Sequence, residues 1–437
     1  MRLSGKLFML FVLTAMILAL VALGCEQEAV GEEELTIKIG VVGPMGYVQG
    51  DHNWYGAEIA KDEINAGGGI EVADQAYEIE LVRVDTNELH SVDDAIAAVE
   101  RAIDVDNVDL MVGGFRTEAV FPMTEIAAEN EKIFIICGAA SAALTMGRVD
   151  ENYDQFKYIF HLTPINTMDI AQLAFVKLME IADALREELG IEQPRVAVLM
   201  DRLEWTDALV AGAEETIPQA GMEHAGTWRP SATATDISSE LAAIQDADAH
   251  IIFTALSGPA AVTYGRQWGE LEIPACSFGL SAESQKLEFW EATDGYCNYE
   301  TSLNTYGKAN ITDKTMPFME QFLEVAGDTP SHSAGTYDAL YIYKDAVERA
   351  GTVEVDAVVE AMAETDYEAA LGRVVFSDFH SITWGPEYMT GVANQWQDGE
   401  LVCVWPYEWS PVEGVEITHD GVQPYKIPPR VIEYWSN

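Results

Sequence analysis

The residues that could do chemistry are many, but no arrangement of them is a catalytic one. Asp and Glu number 73 in 437 residues, against 24 Lys and Arg. With so many acids any two can be paired on paper, so no pair is evidence for acid–base work. The eight histidines are scattered, and no HExxH or Cys/His spacing suggests zinc. There is no GxxxxGK[ST] and no GxGxxG after a strand. Gly279-Leu280-Ser281-Ala282-Glu283 approaches a nucleophile elbow, but Glu283 replaces the closing glycine. The reading is of a protein that is not an enzyme and takes no cofactor or metal. What the chain does offer is three short loops suited to holding a ligand. Gly113-Gly114-Phe115-Arg116-Thr117 ends in an arginine at a helix start, where free N–H groups attract anions. Arg116 could fork onto a ligand carboxylate, or could pair with Glu118 or Glu204 on the surface. Cys137-Gly138-Ala139-Ala140-Ser141 is small enough for backbone to approach a ligand, or for close helix–sheet packing. Asp201-Arg202-Leu203-Glu204-Trp205 brings an aromatic that could cover a ligand or simply pack.

These loops need elements to position them. Strand-like Leu35–Gly43 is followed by a helical pattern over Asn53–Asn65, stopped by Gly67-Gly68-Gly69. Strand and helix patterns then alternate through Tyr77–Asp85, Val92–Ile103, Val108–Gly113, Glu118–Glu129 and Lys132–Cys137. After a long helix over Ile170–Leu189 the alternation restarts at Arg195–Met200 and runs to Ile273–Phe278. Repeated alternation implies parallel sheets with helices on both faces. In such sheets ligands bind at the carboxyl ends of the strands, where the three loops fall. Helices come next over Lys314–Val325, Ala334–Ala350 and Val355–Met362, and a hairpin turns at Asp398-Gly399. The proline-rich end reads as a strap over the surface or as a loose tail.

The opening MRLSGKLFMLFVLTAMILALVALGC has a basic start, an apolar run from Leu7 to Leu23 and small residues before Cys25, as a secretory signal does. Retained, it would act as a membrane anchor. On either reading the chain beyond Cys25 works outside the cytoplasm. The formal charge is −49, and Arg2 and Lys6 are the only charges of the leader. A nucleic-acid partner would need a basic face and is excluded. Such acidity suits solubility where salt screens self-repulsion. Beyond Cys25 there are Cys137, Cys276, Cys297 and Cys403. An oxidising exterior permits disulfides, and Cys276 and Cys297 are nearest in sequence, but Cys137 and Cys276 sit in apolar strand-like runs that suit buried thiols.

IKIGVVGPM, DEINAGGGI, VDLMVGG, IICGAASAALT and QWQDGELVCVWP, in that order, resemble the type I extracytoplasmic solute-binding proteins, and within them the branched-chain amino-acid group. Ala22-Leu23-Gly24-Cys25 resembles the bacterial lipobox, with Ala22 and Leu23 swapped from the usual order. The resemblance implies an α/β protein of two doubly wound parallel-sheet lobes joined by three crossovers and closing on a ligand. It implies a signal peptide over 1–24, lipid on Cys25 and an acidic tether over 25–35. One lobe takes 36–162 with 300–371, and the other 163–299 with 372–410. Residues 411–437 are left to the strap or tail. The crossovers are expected at His161–Pro164, Gly295–Leu303 and Leu371–Ser377. The implied partners are the permease and ATPase of an ABC importer. The same fold also serves sensing receptors, which here would signal through a separate partner. The family's ligand positions fall on Arg116 and Thr117, on Ala139, Ala140 and Ser141, and on Trp205, Ser257 and Ser281, with Tyr47 and Gln49 in reach. The family's ammonium-binding acid falls on Leu280 or Ser281, neither acidic, so Asp201 or Glu204 would have to substitute. A buried ammonium without a counter-charge is costly, so the expected ligand is a small carboxylate- or amide-bearing compound, an amino acid or amino-acid-like, with an aromatic or aliphatic body.

Overall fold

Continuous apolar runs such as Leu110–Gly113 and Ile133–Ile136 cannot face water on either side, and both are wholly buried. A computed structural model describes residues 35–436. The leader, Cys25 and the tether up to residue 34 lie outside the described residues. The first sheet holds β1 (Leu35–Gly43), β2 (Ile70–Val72), β3 (Gln75–Asp85), β4 (Leu110–Gly113), β5 (Ile133–Ile136) and β6 (Ile159–His161). Its order is β2-β3-β1-β4-β5-β6, with β1, β4, β5 and β6 parallel. Helices α1 (Val48–Ala66), α2 (Val92–Asp104) and α3 (Thr117–Glu129) connect the strands. Ser91 starts α2 by accepting the Asp94 N–H at 3.1 Å.

The chain then passes to a second sheet through α4 (Thr167–Leu189). Asn166 caps α4 by accepting the Met168 and Asp169 N–H groups, and Gly190 closes it in the left-handed region at φ 68°. β7 (Arg195–Met200), β8 (Glu223–Trp228), β9 (Ile251–Leu256), β10 (Cys276–Ser281) and β11 (Thr301–Asn304) alternate with α5 (Glu204–Gln219), α6 (Ser238–Asp246) and α7 (Ala260–Glu270). The chain returns to the first lobe as α8 (Thr315–Ala326), α9 (Thr336–Ala350), α10 (Val355–Ala363) and the hairpin β12 (Asp366–Ala369) and β13 (Gly372–Val375). It ends the second sheet with β14 (Val392–Gln397) and β15 (Glu400–Trp405). The order there is β15-β14-β11-β10-β9-β7-β8, and only β14 and β15 run antiparallel to their neighbours.

Two crossovers lie later than the sequence suggests. β11 is in the second sheet, paired with β10 and β14, so the second crossing follows Asn304 rather than spanning Gly295–Leu303. Residues 300–304 therefore sit with the second lobe. Thr301-Ser302-Leu303-Asn304 is short and polar, so no apolar run marks it as a central strand. The third crossing follows Ile382 rather than Leu371–Ser377. β13 folds back on β12, and Ser381 bridges His161 beside β6, so residues 372–382 stay with the first lobe.

The last segment packs as a strap. β16 (Trp409–Val412) and β17 (Val415–Ile417) form a small hairpin. Beyond it Gln423 donates its N–H to the Cys403 carbonyl at 2.9 Å, and Lys426 exchanges hydrogen bonds with the Gln395 side chain. The helix α11 (Pro429–Trp435) sits beside the second sheet. There Arg430 lies 3.8 Å from the Trp268 ring centroid and donates to the Ile273 carbonyl, while Trp435 donates to that of Pro274. Cys137, Cys276, Cys297 and Cys403 are all buried and free, so Cys276 and Cys297 are not bridged. Burial pushes the Cys276 thiol up to about 12.

Candidate functional site

A crevice opens in an α/β sheet where successive strands step to opposite sides of a common one. In the first sheet β3 and β4 flank β1, and in the second β8 and β9 flank β7. The loops leaving β1, β4 and β5 line one cleft of about 560 Å³ together with the loops leaving β7, β9 and β10. Close backbone approach shapes its floor. A Cβ on Gly138 would lie 1.9 Å from the Gly114 carbonyl oxygen, so only glycine lets these two loops meet.

Tyr47, Arg116, Thr117, Ala140, Trp205, Ser257 and Ser281 line the cleft. Gln49, Ala139 and Ser141 do not. Gln49 is buried in the first turn of α1, and Ala139 belongs to the core. Ser141 instead precedes a short helical turn in extended conformation, where successive side chains point to opposite sides.

Arg116 is held from behind. The buried Glu88 carboxylate accepts the Phe115 and Arg116 N–H groups at 3.2 and 2.8 Å and the Thr86 hydroxyl at 3.0 Å. Burial pushes Glu88 up to about 7 against these bonds. The Arg116 guanidinium donates through Nη1 to the carbonyls of Glu88 and Leu89, and its Nε faces Glu118 at 3.5 Å. The Glu118 pairing is thus formed and the Glu204 one is not, while Arg116 still borders the cleft. Thr117 is the first residue of α3, next to the arginine.

In the second lobe Ser257 gives both its N–H and its hydroxyl to Asp201 Oδ2, each at 2.8 Å. Burial raises the Asp201 pKa. The Ser281 hydroxyl accepts the Ser284 N–H at 3.1 Å and so braces the 3-10 turn Glu283–Gln285. Neither Asp201 nor Glu204 lines the cleft, so neither supplies the missing ammonium partner. Among the described lining residues Glu118 is the one acid, against Arg116 and Arg202. At the mouth Tyr47 and His90 share a hydrogen bond of 2.9 Å.

Sequence reasoning missed Leu89, His90, Gln285, Asn304 and His332, which also line the cleft. Asn304 ends the polar strand β11, and His332 opens the 3-10 turn His332–Gly335 against α1. No local pattern marks either. Among the described residues there is no group of His, Cys, Asp and Glu fit to hold a metal.

Two α/β lobes with a cleft between the carboxyl ends of their sheets define a two-lobed ligand-binding fold. The family model for periplasmic binding proteins matches residues 36–394, and the chain belongs to that family. The chain is 22% identical over 374 residues to Leu/Ile/Val-binding protein homolog 7 of Brucella melitensis, covering 83% of this chain and 89% of that one. The fold resembles that of a protein from Silicibacter pomeroyi described as a "putative branched-chain amino acid ABC transporter", with TM-score 0.73, 18% identity and coverage of 91% and 100%. It also resembles a solute-binding protein from R. palustris in complex with benzoate, with TM-score 0.67, 15% identity and coverage of 84% and 95%. The family is one of solute-binding proteins rather than enzymes, and membership places the chain outside the cytoplasm. No described helix is long and apolar enough to cross a membrane.

Proposed function

We propose that this chain, anchored by lipid on Cys25, closes its lobes over a small, largely apolar ligand bearing a carboxylate or amide and delivers it to the permease and ATPase of an ABC importer. The observation that carries this reading is the charge of the lining, two guanidinium groups and one carboxylate, on walls otherwise rich in Leu, Ile and aromatic side chains. An α-amino acid would place its ammonium here without a free counter-charge. The Brucella relative's name points to branched-chain amino acids and the R. palustris complex to an aromatic acid. The cleft of this chain favours the second kind of headgroup.

A thermal-shift screen of aliphatic and aromatic carboxylates, amides and amino acids tests the reading. Ligand at a thousand times its dissociation constant adds about 4 kcal/mol of stability, enough for a clear rise in Tm. Carboxylates or amides are expected to raise Tm and to change tryptophan fluorescence, a change that Trp205→Phe should diminish. Leucine, isoleucine or valine giving the larger shift would refute the ligand class.

A further inference from the structure

Three residues that line the cleft each carry a buried polar atom with no partner among the described residues: Trp205 Nε1, Asn304 Nδ2 and His332 Nε2. A chain of hydrogen bonds spanning both lobes fixes the chemistry of the last. The Leu303 carbonyl can only accept, so the Gln285 amide turns its Nε2 toward it, at 3.3 Å. The Gln285 oxygen is left facing His332, where it takes the backbone N–H at 3.3 Å and lies 3.3 Å from ring Nδ1. An amide oxygen cannot donate, so Nδ1 carries the proton. A neutral imidazole has one N–H, and Nε2 is therefore a bare lone pair. Burial keeps the ring neutral, with its pKa lowered to about 4. The residue is 8% exposed, and the Phe115 ring stacks beside it with centroids 6.3 Å apart.

We infer that His332 determines ligand specificity, its Nε2 accepting a hydrogen bond from a neutral donor on the ligand, a hydroxyl or an amide N–H. The inference rests on the solute-binding reading above and narrows its ligand. The other two atoms are donors. Indole N–H only donates, and the Asn304 oxygen takes the Thr305 N–H at 2.7 Å, leaving Nδ2 to give. The cleft thus asks for acceptor oxygen and one donor on the same small molecule. An ether or hydrocarbon at His332 leaves a buried acceptor unsatisfied. An ammonium finds a neutral ring there, while the one lining carboxylate is turned to Arg116.

Matched probes test this on the full chain by calorimetry: para-hydroxyphenylacetate against para-methoxyphenylacetate, and hexanamide against its N,N-dimethyl form. The donor-bearing member of at least one pair is expected to bind roughly tenfold more tightly. His332→Phe should bring that ratio close to one. His332→Gln, which keeps an acceptor oxygen, should retain part of it, and Gln285→Leu, which frees the tautomer, should reduce it. Nitrogen NMR of the labelled ring should show the bare Nε2 signal moving when the donor probe binds and not with its methylated partner. Equal affinities within both pairs, or a preference that His332→Phe leaves intact, would overturn the inference and leave the solute-binding reading standing. Binding of none of the four probes would overturn it together with the carboxylate-or-amide ligand class.

Discussion

Glu300 is 2% exposed and one of its carboxyl oxygens has no partner among the described residues. Burial alone pushes it from 4.5 up to about 8. Between those values the native state holds a proton that the unfolded chain has lost, so this group lowers stability as pH rises through that window. Glu300→Gln is therefore expected to be more stable than the parent by about 2–4 kcal/mol near pH 9, and little different near pH 5, in urea unfolding. Arg116 borders the cleft, and the proposed function gives it the ligand's carboxylate. Arg116→Ala should weaken binding of a carboxylate ligand by about 1.5–3 kcal/mol by calorimetry. Unchanged affinity would remove the arginine from the site. Arg116, Trp205 and Ser257 were legible because they follow strands that their own sequences announce. Gln285, Asn304 and His332 were not, since short turns and a polar strand carry them and only the topology gathers them.

At the level of elements, α1 fits against the 3-10 turn that presents His332. A Cβ on Gly56 would lie 2.5 Å from the Ala334 carbonyl oxygen. Gly56→Ala gains helix propensity but forces the turn away, and is expected to destabilise by about 1–3 kcal/mol. Ligand affinity should fall with it, measured on the same preparation. A stable variant with unchanged affinity would show that the turn tolerates displacement. Most helices and strands followed directly from apolar spacing. β6 and β11 escaped for different reasons. Ile159–His161 is too short to show a period. Thr301–Asn304 is buried between two neighbours despite three polar residues, and its last two residues reach the cleft.

Across the whole molecule the lobes touch beyond the ligand walls. Asp328 of the first lobe accepts the Leu287 N–H of the second at 2.7 Å, beside the Gln285–His332 contact. Asp328→Ala should shift the ligand-free protein toward a more open form, seen as a larger radius of gyration in solution scattering. No change would mean that this contact follows closure without favouring it. A net charge of −49 should also make Tm rise with added salt, as screening relieves self-repulsion. The sequence displayed the two sheets and the charge openly. It concealed the points of passage between lobes, because strand membership there depends on pairing with remote segments.

One such passage has a late-arriving brace. Asn310, on the stretch between β11 and α8, donates its N–H to the Asp420 carbonyl at 2.8 Å, from a residue 110 positions further along. Synthesis therefore delivers the hinge long before its splint. A chain cut short by an early stop codon ahead of Asp420 would lose this splint together with the packing of α11 on the second sheet, and a protease probing Gly307–Thr312 should cut it faster than the intact protein.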